Sequence, residues 1–378
     1  MLRIIKVNVL AFFATCFFVG FWLRFFTNIN IVVSLAVFLF VSVLSFLYCF
    51  TYETDKKIKK NEITFLIIDV VGLIGLLYNK NHTIADLILL FAWQNMGILF
   101  YFMYKTKNFK INRNFAIIST VYLGMLIYIV QSQYETGWIM ISDRLGSNST
   151  SIVLLEFFII DEIYRYSIHK KTNYLFAFIC FLITLIAGGI AGVVTFSFLI
   201  IILWLFENEK LSVNLIKCVI FILISACILL YINDGIEKIL NYINQGDSES
   251  RILMLQQYFA LMKENIFNFI FGANIQTSYL LRHYENLHNC FFNWHYYYGI
   301  IPMLYFGGIV VYILYKSIKE RNTLYVILMV TTVIRSLTDE TTFAFIPIWI
   351  FFFLIIVEKK NIKFVYSNRA KNKLMEDY

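Results

Sequence analysis

Proline is nearly missing from this chain: Pro302 and Pro347 are the only two in 378 residues. So few breakers leave the apolar segments uninterrupted, and no Ser-, Gly- or Pro-rich stretch marks a linker between domains. Charge is scarce too. Charged residues make up 15% of the chain against 60% hydrophobic, and the mean hydropathy is +0.71. A globular soluble chain of this length needs far more polar surface, so that class is excluded. The cysteines (Cys16, Cys49, Cys180, Cys218, Cys227 and Cys290) lie mostly in apolar runs and show no metal-knuckle spacing. They predict neither a disulfide framework nor a thiolate metal site.

What is present is a succession of segments long enough to cross a bilayer, which takes about 20 apolar residues per helix. Twelve spans are predicted, over residues 4–26, 29–50, 63–78, 83–104, 115–131, 151–164, 174–187, 190–206, 215–232, 291–315, 323–338 and 343–357. The first reads as a retained span, because it lacks a small-residue cleavage site and runs straight into the next. Gly188-Gly189 is the natural turn between the seventh and eighth. With a cytoplasmic N-terminus, 23 of the 32 lysines and arginines fall on the inner side, six on the outer side and three within spans. This bias orients both termini to the cytoplasm. It also assigns the net charge of +8 to topology and anionic lipid, not to nucleic acid. The chain thus reads as an all-α integral membrane protein, a single polytopic domain over 1–378 in the cytoplasmic membrane. One large extracytoplasmic loop is inserted at 233–294.

The loop has internal order. A short helix is expected near 236–243. From Arg251 onward Ile252, Leu255, Phe259, Met262, Ile266 and Phe269 recur at close to a helical period, predicting an amphipathic helix at the membrane surface that ends at Gly272. Arg251 stands in its first turn. There it suits either a phosphate, through helix-start N–H groups and a bidentate guanidinium, or a pairing with Asp247 or Glu249. His288 lies where the chain re-enters the membrane. A neutral imidazole there can take a proton from a hydroxyl, or simply sit at the interface. His283 and His295 lie nearby, but the spacings of the three suit no helical chelating pair and there is no HExxH. The aromatic run Phe291, Phe292, Trp294, Tyr296, Tyr297 and Tyr298 suits an interfacial belt or sugar stacking. Asp69, Asp86, Glu156, Asp161, Glu162 and Arg335 fall within spans, where ionisable groups are costly; charge-paired structural groups are the commoner explanation.

Arg251, the Phe271-Gly272-Ala273-Asn274 turn and His288-Asn289-Cys290-Phe291-Phe292 followed by Gly299 resemble, in order and placement, the motifs of the O-antigen polymerase and ligase superfamily. Asp143-Arg144-Leu145-Gly146-Ser147-Asn148 resembles a further stretch of that family before a mid-chain span. The resemblance implies a glycosyltransferase, independent of metal and cofactor, that uses polyprenyl-diphosphate-linked oligosaccharides at the outer face. It implies His288 as base and Arg251 as a donor-phosphate ligand, together with a second arginine, for which Arg144 and then Arg335 are the candidates in this chain. Asn289, Tyr284, Trp294, Asp339 and Glu340 would contact acceptor or sugar. Chain-length regulator and flippase proteins are the implied partners beside the bilayer. One departure stands out: many relatives carry a Ser-Arg pair where this chain has Ala187-Gly188-Gly189-Ile190-Ala191-Gly192, which holds no arginine. A polysaccharide ligase shares the motifs and the donor. A metal-dependent lipid-sugar transferase is disfavoured, since Thr27-Asn28-Ile29-Asn30 lacks acidic residues. A lipid-oligosaccharide flippase is disfavoured by the single dominant loop and the weak internal symmetry.

Overall fold

The computed structural model of the protein describes residues 2–27, 31–53, 55–79, 84–133, 140–142, 145–168, 170–206, 248–274, 287, 289–337 and 346–357. Fourteen helices occur among the described residues. The first five are α1 (Leu2–Phe25), α2 (Ile31–Tyr52), α3 (Lys56–Asn79), α4 (Ile84–Lys105) and α5 (Lys110–Gln133). A two-stranded antiparallel hairpin follows, β1 (Met140–Ser142) with β2 (Leu145–Gly146). Then come α6 (Ser147–Ser167), α7 (Tyr174–Ile186), α8 (Ile190–Phe206), α9 (Ser248–Glu264), α10 (Ile266–Phe271), α11 (Cys290–Tyr298), α12 (Ile300–Lys319), α13 (Thr323–Ser336) and α14 (Ile346–Val357). The ninth expected span, 215–232, and the expected helix at 236–243 lie outside the described residues.

Three helices form the axis of the bundle. Residues 92–103 of α4, 150–163 of α6 and 348–355 of α14 are buried on every face. An apolar helix without a polar stripe is stable only when surrounded, and here α14 packs on both α4 and α6. Around α4 lie α1, α2 and α3; around α6 lie α5, α7 and α8; and α12 covers α14 and α3. The outer helices turn apolar side chains outward, among them Leu77 (66% exposed) and Val311 (67%). In water such stripes would drive association; in a bilayer they face lipid. Among the described residues, four helices are long and apolar enough to cross a membrane: Val32–Tyr52, Lys56–Tyr78, Lys110–Val130 and Ile300–Lys319. Shorter apolar helices cover Val9–Phe25, Tyr174–Ile186, Ala191–Phe206 and Thr323–Ser336.

Two expectations about the loop and its exit are corrected. The span expected at 291–315 is broken at Gly299, whose φ of +88° is open to glycine and strained for other residues. A Cβ there would lie 2.2 Å from the Ile270 carbonyl oxygen, so the chain turns against α10 and α12 begins afresh at Ile300. The helix expected from Arg251 to Phe269 is likewise interrupted. Asn265 adopts extended backbone and caps α10, its side chain accepting from the Phe267 N–H at 2.9 Å.

Candidate functional site

The end of α13, the start of α6 and the start of α11 converge. Arg335, in the last turn of α13, is buried, at 3% exposure. Its Nη2 donates to the carbonyl of Asn148 (3.0 Å) and its Nε to Ser151 Oγ (3.3 Å). Ser151 Oγ itself donates to the same Asn148 carbonyl at 2.6 Å. These contacts fix the guanidinium at the first turn of α6, a helix whose N-cap, Gly146, makes no side-chain cap hydrogen bond. A fixed cation beside the N-terminal end of a helix dipole is an environment for an anion.

Gly192 supports this corner from α8. A Cβ on it would stand 2.2 Å from Ser151 Cβ, so glycine is what lets α8 close on α6 where Ser151 meets Arg335. Gly188 turns the chain between α7 and α8 with φ of +73°.

Asn289 joins from the loop side. Its Oδ1 accepts from Phe291 N–H (3.1 Å) and Phe292 N–H (3.2 Å), capping α11, while its Nδ2 donates to the Leu337 carbonyl at 3.5 Å. The asparagine of the His-Asn motif therefore ties the loop exit to the end of α13, two residues past Arg335.

Of the remaining sequence-derived site residues, Arg251 stands in the first turn of α9 as expected, and its side chain is not among those described. His288, Tyr284, Arg144, Asp339 and Glu340 lie outside the described residues. They flank the site in sequence: Arg144 is two residues before the Gly146 cap, and His288 adjoins Asn289. Trp294 is described, and it is a core ring. It is 5% exposed, edge-on to Phe306 at 4.9 Å and against Tyr298 at 5.0 Å, so it presents no open face for a sugar. Tyr296, Tyr297 and Tyr298 are buried with it, which replaces the expected interfacial belt by packing of α11 on α3, α10 and α12.

Sequence reasoning missed one polar linkage. His295 of α11 hydrogen-bonds through Nδ1 to the Tyr258 hydroxyl of α9, and through Nε2 to the Phe269 carbonyl of α10 at 2.6 Å. A carbonyl only accepts, so Nε2 carries the proton and Nδ1 accepts from the tyrosine. Burial lowers the His295 pKa from its ordinary value, against the opposing effect of the Phe269 carbonyl, and raises that of Tyr258. The ring is neutral, with both nitrogens occupied. It therefore positions the loop helices and is not poised as a base. The Tyr258 contact also selects the buried face of α9, which is Met254, Tyr258, Leu261 and Met262; Ile252 and Phe259 of the expected apolar stripe are exposed.

Among the ionisable residues within spans, Asp161 pairs with Arg113 at 2.6 Å and accepts from Asn173 Nδ2 at 2.9 Å. Glu162 accepts from the Asn173 backbone N–H at 2.8 Å. These carboxylates staple α5, α6 and the start of α7, in line with the structural reading.

No family model, curated protein or solved structure matches the chain. The fold itself defines a helical protein whose long apolar helices and outward-facing apolar stripes fit a membrane.

Proposed function

We propose that this chain is a polysaccharide polymerase, which joins polyprenyl-diphosphate-linked oligosaccharide repeat units into a glycan at the outer face of the cytoplasmic membrane, with twelve spans and the 233–294 loop outside. The observation that carries the reading is Arg335 fixed at the start of α6 and joined through Leu337 to Asn289. The resembled family implies an arginine near the stretch 187–192. Here Arg335 reaches that same corner from α13, beside the Ser151 that Gly192 packs against.

In this reaction an acceptor hydroxyl attacks the anomeric carbon of the donor sugar, the bond from that carbon to the lipid diphosphate breaks, and the polyprenyl diphosphate leaves. The site must hold the developing diphosphate charge and take up the hydroxyl proton. Arg335 and the α6 start, with Arg251 and Arg144, supply the first, and His288 the second. Asp339, Glu340, Asn289 and Tyr284 orient the acceptor.

The test is to incubate purified protein with lipid-linked repeat unit and separate the products by length. The wild type is expected to give a ladder. His288→Ala should reduce its rate by roughly 10²–10⁴-fold, the usual scale of lost acid–base catalysis. A single transfer to a non-identical lipid acceptor, with no ladder, would instead mark a ligase. No glycosidic bond formation under any condition would remove both readings and leave transport.

A further inference from the structure

Asp69 and Glu62 lie seven residues apart on α3, two helical turns and so about 10.5 Å along one face, on either side of Phe65. All three are buried, Asp69 at 4% and Glu62 at 2% exposure. Asp69 Oδ1 accepts from Gln94 Nε2 of α4 at 3.0 Å, and Gln94 is itself 1% exposed. Asp69 Oδ2 and Glu62 Oε1 are buried and without a hydrogen-bond partner among the described residues. No lysine, arginine or histidine among those residues forms an ion pair with either carboxyl group.

The surroundings contain little else that is charged or titratable. On α12, Tyr305 lies close enough to Asp69 to interact with its charge. On α2, Cys49 interacts with Glu62; the nearby Glu53 is paired with Lys105 of α4 at 3.3 Å, and Lys59 donates to the Phe50 carbonyl. From α11, Tyr298 packs on Gly72 and Gly75. The residues of α14 that meet Phe65 are Trp349, Phe352 and Phe353, and α10 carries no ionisable group.

An ionised carboxylate in such a place would be a buried charge with one amide donor and no counter-ion, which costs several kcal/mol. A proton removes that charge. The Gln94 donor already marks Oδ1 as the accepting, carbonyl-like oxygen, which leaves Oδ2 to carry hydrogen. We propose that Asp69, with Gln94 as its partner and Glu62 as its neighbour along α3, forms a proton-binding site inside the helical bundle, occupied at neutral pH. The ligand is a hydron and not a metal ion: no group of three His, Cys, Asp or Glu among the described residues is placed to hold a cation. Binding converts the carboxylate to a carboxylic acid, and release returns one negative charge between α3 and α4. Because α3 also packs on α10 and α11, which carry the Phe269 and His295 contacts, that charge would bear on the loop exit.

Infrared spectroscopy of the full chain in detergent at neutral pH tests this without any reagent having to reach the site. A carboxylic-acid C=O band is expected in the wild type and lost in Asp69→Asn, with sodium ions having no effect. Absence of the band, its persistence in Asp69→Asn, or its loss only in Glu62→Gln would overturn the assignment. So would its suppression by sodium, which would mean a cation site. If Asp69→Asn does not fold, Gln94→Leu decides: loss of the amide donor should shift the acid C=O band, and an unshifted band would overturn the assignment.

Discussion

At the scale of single residues, the buried donors and acceptors make the firmest predictions. Removing His295 leaves the Tyr258 hydroxyl and the Phe269 carbonyl without their partner, at about 1–3 kcal/mol for each buried group. His295→Ala and Tyr258→Phe should therefore lower the unfolding midpoint, and a double mutant should cost less than the sum, since both remove one linkage. The pH dependence has a definite sign. The His295 pKa is lowered on folding from about 6.5, so the unfolded chain takes up the proton first as pH falls. The neutral ring's contribution to stability is full above that value and declines as pH drops through the window below it. Loss of that decline in Tyr258→Phe with no change in midpoint at neutral pH would contradict the linkage. Arg335 offers a separate test. Arg335→Lys keeps charge but loses the two-point contact with Asn148 and Ser151, so polymer formation should fall sharply at unchanged protein level. Normal activity in Arg335→Ala would exclude it as a phosphate ligand.

At the scale of elements, the turns decide how the loop joins the bundle. Gly299→Ala places a methyl 2.2 Å from the Ile270 carbonyl at φ of +88°, and strain of this kind costs about 1–3 kcal/mol before the clash is counted. Gly308→Ala, on α12 with nothing within 4 Å of the added methyl, should be neutral or mildly stabilising, by roughly 0.5–1 kcal/mol. Equal unfolding midpoints for the two variants would remove the turn from this account. The elements also show where the sequence was legible. Helices at 174–186 and 190–206 with a turn at Gly188 follow directly from apolar run length and glycine placement. The split at Gly299 was hidden because an aromatic run leads into it and an aliphatic run follows, and the close approach of α10 reveals it. The buried face of α9 was misphased for a related reason. Ile252, Leu253, Met254 and Leu255 are all apolar, so period alone leaves the phase open, and the Tyr258–His295 contact fixes it. Asparagine was an unread signal: Asn173, Asn265, Asn289 and Asn322 each cap a helix start. For the site, Arg335 was legible as a costly charge within a span, but its partners on α6 lie more than 180 residues away in sequence.

At the scale of the whole molecule, the distribution of lysine and arginine predicts sidedness. Cysteines introduced at Gln245 and Asn372, in a chain freed of its native cysteines, should react differently in intact cells: the first with an impermeant reagent, the second only after lysis. The reverse pattern would overturn the orientation and, with it, an outer-face site. The three-helix axis has a bearing on how such a chain is made. Because α4 is enclosed on one side by α14, its innermost surface stays uncovered while everything between them is being synthesised. Early helices can assemble around α1 and α2 as they emerge, yet closure of the centre waits on a late segment that must slip between helices already in place. During that interval Gly97 and Tyr101 of α4, which meet Trp349 and Phe353 of α14, are open to solvent or to lipid. A ribosome stalled before α14 would therefore hold a loosened, protease-sensitive bundle, and quality control in the membrane would have its longest opportunity to act there.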